Sequence, residues 1–187
     1  MTEIGLIMIL AALWGAPSGA GQADFNIDFS GDQHRAIKCQ GKVNFNNKPG
    51  AETFRFQQNC TGAGPQDENR EVIVRFDQHK TYVLNHALKN YDTQELKDLN
   101  AVMQELIQGY DGKAETRPFL EGTNLWTQPT KGEFWITRIQ DPAQQNRVTE
   151  VHLLAPGYGS HMYLSYAAAP PAADSFEPPK GYSQVTN

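Results

Sequence analysis

Hydrophobic and polar residues alternate with a period of two along most of the chain. Phe25, Ile27 and Phe29 sit between polar neighbours in "ADFNIDFSG", which reads as a first strand. Val43 and Phe45, then Phe54 and Phe56, continue the pattern on either side of Asn46, Asn47, Pro49 and Gly50, a run of turn-forming residues. "EVIVRFD" and "KTYVLN" predict a second hairpin around Gln78-His79, rich in β-branched and aromatic side chains. "KAETRPFLEG" is a weaker strand pattern. "GEFWITRIQ" is stronger: Phe134, Ile136 and Arg138 alternate against Trp135, Thr137 and Ile139 until Asp141-Pro142 breaks the run. "RVTEVHLLA" and "HMYLSYAA" close the β part, separated by Pro156-Gly157 and Gly159.

The period changes once. In "YDTQELKDLNAVMQELIQGYDG" the apolar residues Leu96, Leu99, Val102, Met103, Leu106 and Ile107 recur every three or four positions, the spacing of a helix with one apolar face. Asp92 with Glu95 three residues later has the form of a capping box, and Gly109 stands where a glycine would end the helix. Strands without βαβ alternation and a single helix predict an α+β domain: a curved antiparallel sheet with one main amphipathic helix packed over its concave face. No internal repeat or long linker divides the chain. The Pro- and Ala-rich end carries Phe176 and Tyr182, so "SFEPPKGY" is expected to pack back on the domain.

The first hairpin also speaks to the cysteines. Facing residues of an antiparallel pair have numbers of constant sum. If Phe45 faces Phe54, Val43 faces Phe56, Gly41 faces Gln58, and the next pair on that face is Cys39 with Cys60. The register that pairs the aromatic rows thus pairs the cysteines. A disulfide there would constrain the unfolded chain by about 3 kcal/mol, provided the compartment is oxidising; the alternative is two free buried thiols.

The N-terminus bears on that compartment. Ile4 to Trp14 is an apolar run, too short to span a bilayer and suited to the core of a secretory signal. Ser18-Gly19-Ala20 or Gly21-Gln22-Ala23 would supply the cleavage site, although the leading region holds Glu3 and no Lys or Arg. A buried N-terminal helix or strand is the alternative. The expected organisation is a signal peptide over 1–23 and one domain over 24–187, in the periplasm or secreted. The net charge of −5, without long charge runs, excludes the basic footprint that nucleic acid requires.

Catalytic patterns are absent. No Gly-x-Ser-x-Gly or phosphate-cradling glycine loop occurs, and Ser160-His161 are adjacent, so on a strand they face opposite ways. His34, His79, His86, His152 and His161 show no metal-ligand spacing in the sequence, and His152 is expected on an exposed face. Asp67, Glu68 and Glu71 crowd one loop and read as solvated. The expectation is a non-enzymatic protein with no cofactor and no metal.

What remains is shape, because many aromatics either fill the core or line a cup. "EVIVRFDQHKTYVLNHALKNYDTQEL" contains Arg75-x-Asp77 at a strand end and a Lys89-x-Tyr91 step. "FEPPKGY" contains Phe176, Pro179, Gly181 and Tyr182. This order resembles an uncharacterised family of bacterial envelope proteins similar in fold to the outer-membrane lipoprotein carrier (LolA-like). The resemblance implies a strongly curved antiparallel sheet, an incomplete β-barrel closed by helices, with an apolar cavity; the motif residues look architectural. It implies a carrier for a hydrophobic ligand, a lipid or acylated protein, with Leu99, Met103, Leu106 and Ile107 on the lid and Phe56 and Trp135 in the wall. The alternative is an interaction or sensor module contacting another envelope protein.

Overall fold

The computed structural model describes residues 2–13, 18–31, 34–61, 69–96, 101, 115–118, 124–129, 135–155, 157–167 and 176–185. Among the described residues the helix α1 (Thr2–Leu13) precedes twelve strands. These are β1 (Ala20–Gly31), β2 (His34–Asn46), β3 (Thr53–Thr61), β4 (Asn69–Arg75), β5 (Lys80–Asn85) and β6 (Asn90–Glu95), then β7 (Glu115–Pro118), β8 (Asn124–Pro129), β9 (Trp135–Asp141), β10 (Arg147–Ala155), β11 (Tyr158–Ala167) and β12 (Ser183–Gln184). They form a single curved, open sheet in the order β12-β6-β5-β4-β3-β2-β1-β11-β10-β9-β8-β7. Neighbours are antiparallel except β12 beside β6. The pairing of β1 with β11 joins an N-terminal meander to a C-terminal one.

The period-2 pattern decides which face is buried. Phe25, Ile27, Phe29, Val43, Phe45, Phe54 and Phe56 are all buried, with polar residues between them facing outward. The register of β2 with β3 is the one expected: Phe45 faces Phe54, Val43 faces Phe56, Gly41 faces Gln58, and Cys39 faces Cys60. The two cysteines form a disulfide, both sulfurs turned to the core. Gly41 is required by close approach. A Cβ there would lie 1.9 Å from the Gln57 carbonyl oxygen and 2.6 Å from the Phe25 ring.

β4 differs: Glu71, Val72, Ile73 and Val74 are all buried, so the sheet is covered on both faces at this point. Val72 and Val74 join the main core, while Ile73 joins Tyr82, Leu84, Tyr91 and Phe176 in a small second cluster. The cover is the C-terminal segment, which packs back as expected. Arg75 explains how. Its guanidinium holds Asp77 through two bonds of 2.9 and 2.8 Å, donates to the Phe176 carbonyl at 3.1 Å and pairs with Glu177. The Ser183 and Val185 amides then donate to the Lys89 and Tyr91 carbonyls, at 3.1 and 2.9 Å. Lys89 and Gly181 both take the left-handed backbone, at φ 48° and 87°. The motif residues behind the family resemblance therefore clamp a strap onto the sheet.

Several expectations need correction. The helix start placed at Asp92 is strand: Asn90–Glu95 pairs with β5, Leu84 facing Tyr91 and Lys80 facing Glu95. Ladder hydrogen bonds outweigh the local capping pattern there. Leu96 leaves the strand packed against the main core, and Ala101 is helical. Leu99, Met103, Leu106 and Ile107 lie outside the described residues, as do Asp67 and Glu68. β8 was not foreseen in the short, Pro-ended "NLWTQP". β1 begins at Ala20, before the expected Ala23.

Candidate functional site

The main buried core of the described residues lies on one face of the sheet, and α1 lies on that face. The described side chains of the helix, from Leu6 on, are all apolar, with Met8, Ile9, Leu10, Ala11, Ala12 and Leu13 all at most 5% exposed. It packs on β9 and β10 and shares one continuous core with Phe25, Phe54, Phe56, Val151 and Met162. Phe56, expected in the wall, is fully buried there. Trp135 is not in that wall: it is 44% exposed on the opposite face, because Ile136 takes the core-facing place next to it. Leu154, its partner across β9 and β10, is exposed on the same side.

Two polar side chains hold the C-terminal end of α1. Arg138 on β9 is 5% exposed and donates to the Ala11 carbonyl at 3.1 Å. Asn47, just past β2, donates from its side chain to the Leu13 carbonyl at 3.4 Å. A helix leaves its last carbonyls without internal partners, and these two residues answer for two of them. Burial pushes the Arg138 guanidinium down to about 10, still well above neutrality, so it stays charged. Gln58 is a further buried polar group on this face. Its amide lies 2.9 Å from the Cys60 sulfur, and its carbonyl oxygen has no partner. Tyr166 completes the wall, donating to the Val148 carbonyl at 2.8 Å, with its phenol pushed well above the usual range by burial.

The outward face is mostly polar along β1 to β3. A groove of about 320 Å³ runs past Asp24, Asn26, Gln40, Lys42, Gln57 and Asn59. Glu71, read from sequence as part of a solvated acidic loop, is instead buried and paired with Arg55 and His86. His86 Nδ1 lies 2.6 Å from the Tyr182 hydroxyl, which links this pair to the C-terminal segment.

The histidines hold a feature that the spacing argument missed. His152 on β10 faces His161 on β11, and Glu150 lies two residues before His152 on the same side. Their ligating atoms all lie within 4.8 Å of one another. The signal was present in the sequence. A two-residue loop at Pro156-Gly157 pairs Ala155 with Tyr158, and counting back from there pairs His152 with His161.

The chain is thus a disulfide-stapled, open curved sheet whose apolar face carries an apolar helix. No family model matches it, and no curated protein matches it. Among solved structures it is similar to an uncharacterized conserved protein from Thermus thermophilus, at 10% identity over 97% of this chain and 98% of that one, with a TM-score of 0.55. That likeness shows a shared fold. It is also similar to a LolA superfamily protein from Nitrosomonas europaea, at 8% identity over 92% and 96% of the two chains with a TM-score of 0.43. A domain assigned to an outer membrane lipoprotein-sorting protein from Vibrio parahaemolyticus follows, at 8% identity over 92% and 94% with a TM-score of 0.37. The structural neighbours therefore include LolA-like proteins, as the sequence motifs lead one to expect. Neither of the last two likenesses is close enough to carry an argument about function.

Proposed function

We propose that this chain is a periplasmic, non-enzymatic carrier that shelters a hydrophobic ligand, a lipid or the acyl group of an acylated protein, against the core face of its sheet. The observation that carries the reading is the burial of α1. An apolar cylinder lies on that face, tied there by its own side chains and by Arg138 and Asn47. We read α1 as the core of a secretory signal that stands where a ligand goes once it is removed. Magnitudes agree. Burying the four large side chains Met8, Ile9, Leu10 and Leu13 contributes about 6 to 12 kcal/mol, and an acyl chain of about 12 methylenes contributes about 10 kcal/mol before the costs of ordering it. Arg138 then meets the ligand's ester or amide carbonyl in place of the Ala11 carbonyl. A lid helix beginning after β6 closes the cup, with Leu99, Met103, Leu106 and Ile107 turned inward. The packing of Leu96 against the core supports that path.

The disulfide supports the oxidising compartment. Among the described residues no helix is long and apolar enough to cross a membrane. Of the two cleavage sites, the one after Ala20 keeps more of β1 than the one after Ala23. Ala20 to Ala23 pair with Asn46 to Val43 in the sheet, so the later cut would remove ladder bonds from β1. The test is a fluorescent fatty-acid displacement assay on the chain beginning at Gly21 and on the full chain. The shorter chain is expected to bind saturably and the full chain at least ten-fold more weakly. Equal affinity of the two would place binding elsewhere than under α1.

A further inference from the structure

We infer that the outward face of the β10–β11 hairpin carries a binding site for a divalent transition-metal ion, held by Glu150, His152 and His161. The arrangement rests on register. His152 and His161 are directly paired across the two strands, and their rings stack with centroids 3.7 Å apart and planes 25° from parallel. Both turn Nε2 toward a single oxygen of Glu150: 2.8 Å from His161 and 3.4 Å from His152. Ligand atoms bonded to zinc at about 2.0–2.1 Å in a tetrahedron lie about 3.3 Å apart. The two distances to the carboxylate straddle that value, and all three ligating atoms lie within 4.8 Å of one another.

The donor set decides the class of ion. Two imidazoles and a carboxylate suit zinc, copper or nickel, whereas calcium and magnesium take oxygen-only shells. The setting favours a preformed site. β10 is paired with β9 and β11, and β11 with β10 and β1, so neither strand is an edge, and ligands on paired strands are held more precisely than ligands on loops. Each of the three side chains is between a quarter and a third exposed, which leaves a path for the ion and room for water to complete its shell. The Tyr163 ring covers His161 from its other side at 3.9 Å. Asp28, opposite His161 on β1, adds negative charge nearby and is itself paired with Lys38 at 3.9 Å.

This site lies on the face opposite the proposed ligand cup, so it does not depend on the carrier reading. The test is zinc titration of the full chain by calorimetry at pH 7.5, with ¹⁵N-labelled histidine followed by NMR in parallel. We expect one zinc per chain, weakened at least ten-fold in His152→Ala and in His161→Ala, and unchanged in His79→Asn, which removes a histidine from a turn outside the cluster. In the unsubstituted protein the His152 and His161 Nε2 resonances should move on adding zinc while His79 stays. No saturable zinc uptake, uptake indifferent to both alanine variants, or resonance shifts confined to other histidines would each overturn the assignment.

Discussion

At the residue scale, a few side chains govern local geometry. Gly41 is one. With Gln57's carbonyl oxygen 1.9 Å from where a Cβ would stand, Gly41→Ala must push β2 from β3. Such overpacking costs about 1 to 3 kcal/mol, and urea unfolding should show the midpoint fall accordingly; an unchanged midpoint would mean the strands separate freely. Asp77 is another. The hydrogen bonds from Arg75 hold its carboxyl below the usual carboxylate range. Its charged form is therefore favoured in the folded state, and the stability it lends is complete above about pH 4 and fades as pH falls through its lower folded value. Asp77→Asn should flatten that part of the acid unfolding curve and lower stability above about pH 5 by an amount that does not vary with pH; an unaltered acid slope would show that other carboxylates carry it. Aromatic pairs made one residue-scale result, Cys39 against Cys60, legible beforehand. The Glu150, His152 and His161 group was legible in the same arithmetic but hidden by reading spacing along one strand, when the ligands come from two.

At the element scale, strong alternation was readable and weak or edge elements were not. β1 to β5 and β9 to β11 carry apolar residues at most alternate places, so their two faces follow from the sequence. β6 reads "NYDTQE", a polar run that looks like the start of a helix. It becomes a strand only because β5 on one side and the C-terminal strap on the other supply partners. Trp135 shows the related limit: a large aromatic in an alternating run was assigned to the cup, but alternation gives two faces without saying which is buried. The strap has its own test. Arg75 bonds at once to Asp77, the Phe176 carbonyl and Glu177, and each charge-assisted bond is worth roughly 1.5 to 3 kcal/mol where it is not fully solvated. In Arg75→Ala, hydrogen exchange at the Ser183 and Val185 amides should accelerate by ten-fold or more while the β1–β3 amides keep their protection. Uniform acceleration would mean that the strap and the main sheet open as one unit.

At the scale of the whole molecule, the sheet is twelve strands long, stapled at one hairpin, strapped at one edge, and filled by a helix that is apolar all round. A helix at the surface of a domain shows one apolar stripe and a polar face to water, whereas a helix apolar all round is either wholly buried or made for a membrane. α1 has no polar face, which is why the sequence read as a signal and why its place on the core face reads as that of a guest. The curved sheet was foreseen through the family resemblance, while a buried N-terminal helix was weighed only as the alternative to a signal peptide, because a sequence pattern does not show what lies against a face. The competing account makes α1 a permanent part of the core and the protein an interaction module. The two differ in one observable. Native mass spectrometry of the protein recovered from the bacterial envelope, followed by solvent extraction, reads both the N-terminus and the bound mass. The carrier account predicts a chain beginning at Gly21, two hydrogens lighter for the disulfide, with a lipid or acylated peptide bound one to one. A chain that keeps residues 1–20 and stays free of bound lipid after incubation with a lipid mixture would contradict it.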